Sequence, residues 1–497
     1  MAARDPSTSS TEIDTLARLH GELQAAMQRI NELETEVAEL KKQQAGLSKP
    51  AKVEEPFSLR SEEKRQEDRG QKRRFKESRR RRRGRIANEE KIRNAERTEA
   101  VYPSGIPHEQ CRLSHVRVVW RLENNRAVRV AYQIFRGPKK QYGIIPGVLG
   151  RSEFGLEIVI TLAYLVHMMG LSFDKVCAVM GFLQDLKLSK SQADALLRQL
   201  AGAWSEEFEI LCTLLANSLV VHADETSWSL HSVWALLSEK ARLLVFGVHK
   251  DAATLQEFLD PETFEGLLVS DDAAVYANFT SAQKCWAHLL RKAIKLTLLD
   301  AQNENYRVFA DGLLEIFHEA NRIQRDKRLS DAGRRRKVDA LVDEVFELCG
   351  PVWFEDPPPD GPDHDRRLLA VEVMRLALRE ELFAFVTTPA ATQPNGASKA
   401  IDGTNNEAER TLRNPAQART TGRTSKTSAG ARRTSILTSV LESLRLYLPT
   451  YTLKTVIDEI KGWQETGRSC FRALMERLKL SLPDHSVLER VQPLPSG

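Results

Sequence analysis

The sequence predicts a mixed α/β protein whose strand-rich core is embedded in helical regions and preceded by a charged N-terminal segment. Three observations predict it. SLVVHADE, SVWALLSE and RLLVFGVHK, starting at residue 218, read as three strands with short connections, and a helix (AATLQEFLD) and a further strand (GLLVSDD) follow. On either side, from 146 to 216 and from about 286 to 387, the signal is helical, with a Pro-rich break at PVWFEDPPPDGPDHD. Near the N-terminus, Leu16, Leu19, Leu23, Ala26, Ile30, Leu33, Val37 and Leu40 alternate spacings of three and four, a coiled-coil heptad pattern.

Bulk properties narrow the class. A chain of 497 residues exceeds one compact core. Its 41% hydrophobic and 28% charged residues suit a soluble globular protein with polar appendages, and a net charge of +5 is too small to be informative. Six cysteines lie far apart with no C-x-x-C pair, which argues against a disulfide framework and for a reducing cytosol. The run LEIVITLAYLVHMMG is broken by Glu157 and His167 and ends at Gly170, so it reads as a buried helix and not a membrane span. No charged-then-apolar signal pattern opens the chain. A cytoplasmic protein with no membrane partner is expected.

Taken in order, residues 1–50 are expected to form a coiled-coil oligomerisation segment, giving a homodimer or higher homo-oligomer. Residues 51–100 form a basic arm. Within it QKRRFKESRRRRRGR, including Arg79, Arg80, Arg81, Arg82 and Arg83, sets ten basic residues against one acid, a density suited to phosphate neutralisation. In 101–145, VRVVWRL and RAVRVAYQIFR flank Glu-Asn-Asn, a β-hairpin signature and a candidate DNA-binding region. His108, Cys111 and His115 there offer three zinc ligands without a fourth, so a structural zinc is not expected. Residues 146–216 are helical. Ser152 is read as the cap of the apolar helix, Ser172 opens a second, and Ser189 with Gln192 forms a capping box, so 172–202 is a candidate helix-turn-helix. The core falls into 217–298 and 401–450 around a helical insertion at 299–400, and 451–497 holds C-terminal helices and tail.

The chemistry sits in acids. The first core strand is read as ending on Asp224 and Glu225, and the strand at 266 ends on Asp271 and Asp272. Strand parity puts Asp224 on the more polar face, with Ser218, Val220 and His222, and Glu225 on the other. Later, TNNEAERTLRNPAQARTTGRTSK opens a helix with capping Thr/Asn, carries Glu407 and Glu409 in its first turn, and continues with Arg410, Arg413, Arg419, Arg423 and Lys426. Hard carboxylate oxygens gathered from distant positions are what divalent cations need for phosphodiester chemistry, and a cage against a phosphate backbone needs nearby positive charge. Cys285 and His288, a C-x-x-H pair, supply half a zinc site at most and read as a helical structural pair; His288, Arg291 and Lys292 are candidates to line a DNA path.

HADET followed by Trp228, SDDAAVY, KCWAHLLRK and NNEAERTLR, in that order, resemble the core of the insertion sequence 66 family of DDE transposases, over about 218–450 and more loosely from 145. The resemblance implies an RNase H-like catalytic core with a large helical insertion between the second and third acids. It implies Asp224, Asp271 and Glu409 as catalytic residues and ligands of two Mg²⁺ (Mn²⁺ substituting), with Glu225 a neighbour. The paired cysteines found near the N-terminus of many members are absent, as is the aromatic-rich run after Glu409, where TTGRTSKTSAGARR stands. Asp272 stands where glycine is common. The implied activity is metal-dependent cleavage at element ends and 3′-OH strand transfer into target DNA, in a bacterial, nucleoid-associated protein whose partner is DNA carrying terminal inverted repeats. A nuclease that cuts without joining and a non-catalytic DNA-binding derivative are the alternatives.

Overall fold

The computed structural model describes residues 88–492. The heptads at 12–41 and the run with Arg79–Arg83 lie outside the described residues. A three-stranded sheet comes first: β1 (Arg97–Val101), β2 (Arg112–Glu123) and β3 (Arg126–Arg136), in the order β1-β3-β2. β2 and β3 are the expected hairpin. Its two turn residues, Asn124 and Asn125, have φ of 48° and 61°, the left-handed pair that a two-residue turn between right-twisted strands requires. β1, parallel to β3, was not anticipated, because RTEAV is short and largely exposed. His108, Cys111 and His115 take separate partners. The His108 ring stacks on Tyr102 with centroids 3.9 Å apart, Cys111 donates to the Pro107 carbonyl, and His115 Nδ1 is 3.1 Å from Ser114 Oγ.

Helices α1 (Leu156–Ala163), α2 (Phe173–Gln184), α3 (Lys190–Ala203) and α4 (Ser205–Ala216) follow. α1 is buried almost all round, as its mostly apolar sequence demands, and Glu157 within it pairs with Arg121. Ser152 is not its cap. Gly155 holds that position, and Ser152 Oγ accepts from the Phe154 N–H two residues on, an ST-turn that competes with capping. The helix also stops short of Gly170: a π-helical turn, Tyr164–Met168, carries the chain onward. Ser172 caps α2, and Ser189 with Gln192 makes the expected capping box on α3.

The central sheet has five strands: β4 (Val220–Ser227), β5 (Ser232–Ser238), β6 (Arg242–Val248), β7 (Leu267–Ser270) and β8 (Ala282–Lys284). Their order is β6-β5-β4-β7-β8, with β4, β5 and β6 antiparallel in turn and β4, β7 and β8 parallel. One correction concerns the first acids. β4 does not end on Asp224 and Glu225 but continues to Ser227, because β5 pairs with it as far as Ser227↔Ser232. Only its parallel partner β7 stops earlier.

The sheet separates two cores. Val221, Ala223, Trp234 and Leu236 pack with α1, α3 and α4 on one face. On the other, Val220, Leu267 and Val269 join helices α5 (Trp286–Leu299), α6 (Glu304–Arg325), α7 (Asp331–Trp353) and α8 (Pro362–Leu378), while Val233, Ala235 and Leu244 meet α9 (Asn406–Thr420). The open edge of β6 is covered by α10 (Ser428–Tyr447). Ser435, Ser439 and Ser443, spaced by four on one helix face, accept from the N–H groups of Phe246, Leu244 and Arg242 at 3.0, 2.9 and 2.9 Å. Edge donors that would otherwise template another strand are thereby used up.

Candidate active site

Three elements carry the candidate acids. The parallel register Val220↔Leu267, Val221↔Leu268, His222↔Val269, continued two residues, sets Asp224 beside Asp271, which stands just past the end of β7. α9 crosses the same sheet face. Its N-cap, Asn405, is 1% exposed and does not cap the helix with its side chain. Instead Asn405 Nδ2 donates to the Ala223 carbonyl at 2.7 Å, and its backbone N–H points to Cys285 Sγ at 3.1 Å. One buried amide thus ties the start of α9 to the residue before Asp224 and to the start of α5, and four residues later the helix presents Glu409.

The electrostatics divide these acids from their neighbours. Asp224 Oδ1 accepts from the Glu225 N–H at 2.9 Å and Asp271 Oδ1 from the Ala273 N–H at 3.0 Å, and neither carboxylate has an ion-pair partner among the described residues. Burial, reinforced by the charges of Glu225, Asp271 and Glu409, pushes the Asp224 carboxyl up to about 7. By contrast Glu225, its side chain 3% exposed, accepts from the Tyr276 hydroxyl and pairs with Lys250 Nζ at 2.6 Å. Asp272 pairs with Arg375, with Lys284 Nζ 4.0 Å away. Glu407 is gripped by Arg242 and Lys399; burial alone would raise it, but those cations bring it down to about 2.

Glu409 lies between these cases. Arg291 Nη2 donates to its Oε1 at 2.5 Å, and His288 Nδ1 is 3.7 Å from the same oxygen. Cys285, His288 and Glu409 bring their ligand atoms within 4.8 Å of one another; the three acids do not form such a cluster among the described residues. Cys285 is a poor metal ligand here, because burial raises its thiol and the Asn405 N–H already occupies the sulfur. A cleft of about 430 Å³ opens beside Asp271, lined also by Lys284, Cys285, His288, Lys292 and Glu372; Asp224 and Glu409 are not in its lining. The donor chemistry of Asp224, Asp271 and Glu409 fits a hard divalent cation: all ligand atoms are carboxylate oxygens, two of them without a compensating cation. Glu409 would have to leave Arg291 to join them.

The residues expected to contact DNA are dispersed. Arg291 pairs with Glu409, and Lys292 with Glu372 at 2.6 Å. Arg419 donates to the Ser227 carbonyl at 2.8 Å and Arg423 to the Gly170 carbonyl at 2.6 Å, which fixes the end of α9 against β4 and the loop after it against the turn before α2. Arg410, Arg413 and Lys426 have no ion pair among the described residues.

The profile described as the IS66 transposase family matches residues 151–433, more than half of the chain. The chain belongs to the IS66 transposase family. Comparison with curated proteins returns no match. The matched span opens just before α1 and closes within α10, so it takes in the whole five-stranded sheet and all three acids of this IS66 transposase family member. No helix among the described residues is long and apolar enough to cross a membrane.

Sequence reasoning missed four residues that build the site: Asn405, Lys250, Tyr276 and Arg375. Tyr276 and Asn405 sit inside the motifs that flagged the acids, so their position was visible and their role was not. Lys250 and Arg375 reach their partners only through tertiary folding.

Proposed function

We propose that the chain is a metal-dependent DNA transposase with an RNase H-like core, in which Asp224, Asp271 and Glu409 hold two Mg²⁺ or Mn²⁺ ions. The observation that carries this reading is the pair of carboxylates left without a cation, Asp224 within β4 and Asp271 just past the end of β7, in register across adjacent parallel strands, with the helix bearing Glu409 tied to β4 by Asn405. The mixed sheet with its β6-β5-β4-β7-β8 order supports the core assignment, and family membership supports DNA as substrate.

Bound divalent ions supply an activated oxygen nucleophile and charge stabilisation at the leaving oxygen. The chain supplies position. β4 is locked between β5 and β7, so Asp224 cannot swing away from Asp271 without breaking the ladder. Arg291, at the edge of the site, holds Glu409 when no metal competes and is left to face phosphate when one does. Water attack on the phosphodiester at the element end releases a 3′-OH. That hydroxyl then attacks a target phosphodiester, forming one new P–O bond and freeing a 3′-OH on the target strand.

The test incubates full-length protein with labelled element ends, a supercoiled plasmid and Mg²⁺. The proposal expects labelled DNA joined to plasmid. Cut but unjoined ends would assign a nuclease, and bound but uncut DNA a non-catalytic derivative.

A further inference from the structure

A cavity of about 860 Å³ lies on the other side of α9 from Glu409. Glu407, Arg410, Thr411, Asn414, Pro415 and Ala418, at spacings of three and four, form the helix face that lines it. Glu409 is about 200° round the helix from Glu407 and points elsewhere. One helix therefore carries an acid of the candidate active site on one face and a cavity wall on the other.

The lining has two chemistries. Its wall is apolar and aromatic, with Phe173, Pro415 and an edge-to-face pair, Trp228 and Phe246, whose ring centroids are 5.1 Å apart. The rim is cationic: seven arginine or lysine side chains face two carboxylates, Glu407 and Glu442, both engaged by Arg242. Arg410 and Lys426 on that rim have no ion pair among the described residues and are exposed.

We infer that this cavity receives a single unstacked nucleotide of the bound DNA, its base against the Trp228–Phe246 wall and its flanking phosphates on Arg410 and Lys426. The inference rests on the reading of the chain as a DNA-acting enzyme and adds a second subsite to it. The volume suits one nucleotide and not a duplex. A flat π-face meets an aromatic wall whatever the base, and the free cations meet phosphate. Because Arg410 directly follows Glu409, a strand held there lies within about a helical turn of the acid.

The test measures fluorescence anisotropy of full-length protein with two labelled duplexes, in chelator so that nothing is cut. The duplexes are identical except that one has a single unpaired central nucleotide. Wild type is expected to bind the unpaired duplex about tenfold more tightly, the order of one base–aromatic contact. Thr424→Trp, which fills the cavity from a loop, is expected to abolish that preference while its affinity for the paired duplex stays within about twofold of wild type, which also reports an intact fold. Trp228→Leu, which keeps an apolar side chain and removes the ring, is expected to lose part of the preference. A wild type indifferent to the unpaired nucleotide overturns the inference. So does a preference that survives intact in Thr424→Trp, since it would then reflect duplex bending. Failure to bind either duplex sinks the DNA reading itself.

Discussion

Asp224 and Glu225 are consecutive residues on one strand with opposite surroundings. Glu225 faces Tyr276 and Lys250 and is neutralised; Asp224 faces Asp271 and has no ion pair among the described residues. The contrast recurs at Asp271 and Asp272, where Arg375 takes the second acid and leaves the first. It recurs again on α9, where Arg242 and Lys399 grip Glu407, although there Glu409 keeps one arginine, Arg291. A carboxylate with its own cation is spent on holding the fold. One held in place by a backbone N–H, crowded by other acids and given no cation, has its charge available for a ligand. Strand parity explains how one stretch of sequence serves both purposes, because neighbours on β4 look into different halves of the molecule.

The sharpest way to break this contrast is to exchange the roles of Asp271 and Asp272. Asp271→Ala is expected to reduce strand cleavage by about a thousandfold or more, the scale of losing a metal-held charge stabilisation, while DNA binding persists. Asp272→Ala should keep cleavage within about tenfold of wild type, because it removes only the pairings with Arg375 and Lys284. Equal losses in the two would erase the distinction. A smaller effect is expected at Glu225. Glu225→Gln breaks the bond with Lys250 and weakens that with Tyr276, and should cost about 2 kcal/mol in urea unfolding. If stability were unchanged, Glu225 would not be the structural member of its pair.

The smallest effect is the pH dependence of the metal-free protein. With its carboxyl raised to about 7, folded Asp224 keeps a proton that the unfolded chain releases near 3.8, the ordinary value for an aspartate. Unfolding then loses a proton across that window, so this group's contribution to stability falls as pH rises from about 4 to 7 and levels off above. Asp224→Asn should flatten that slope and raise the melting temperature at pH 8 by a few degrees, roughly. A slope of the same steepness in the variant would locate the titration elsewhere.

Much of this was legible in the sequence because it depends on local pattern. The three antiparallel strands, the Asn-Asn hairpin and the Ser189–Gln192 box follow from periodicity and capping chemistry, and parity alone placed Asp224 and Glu225 on different faces. Ser152 failed as a helix cap because its hydroxyl found a nearer N–H, a choice that spacing does not determine. β8 was too short to register, and β1 too exposed. Lys250 lies 25 residues from Glu225 and Arg375 103 residues from Asp272, so these two pairings carry no local signal. Ser435, Ser439 and Ser443 did leave one: small hydroxyl residues spaced by four on a helix, with Ile436, Leu437, Val440, Leu441 and Leu444 beside them, mark a buried face that meets backbone.

Calorimetric titration of Mn²⁺ into the full-length protein tests the central claim most directly, because it reads the uncompensated carboxylates without requiring turnover. Wild type and Asp272→Asn are expected to bind about two ions per chain, while Asp224→Asn and Asp271→Asn lose that binding. Undiminished Mn²⁺ binding in Asp271→Asn, or its loss in Asp272→Asn alone, would contradict the assignment.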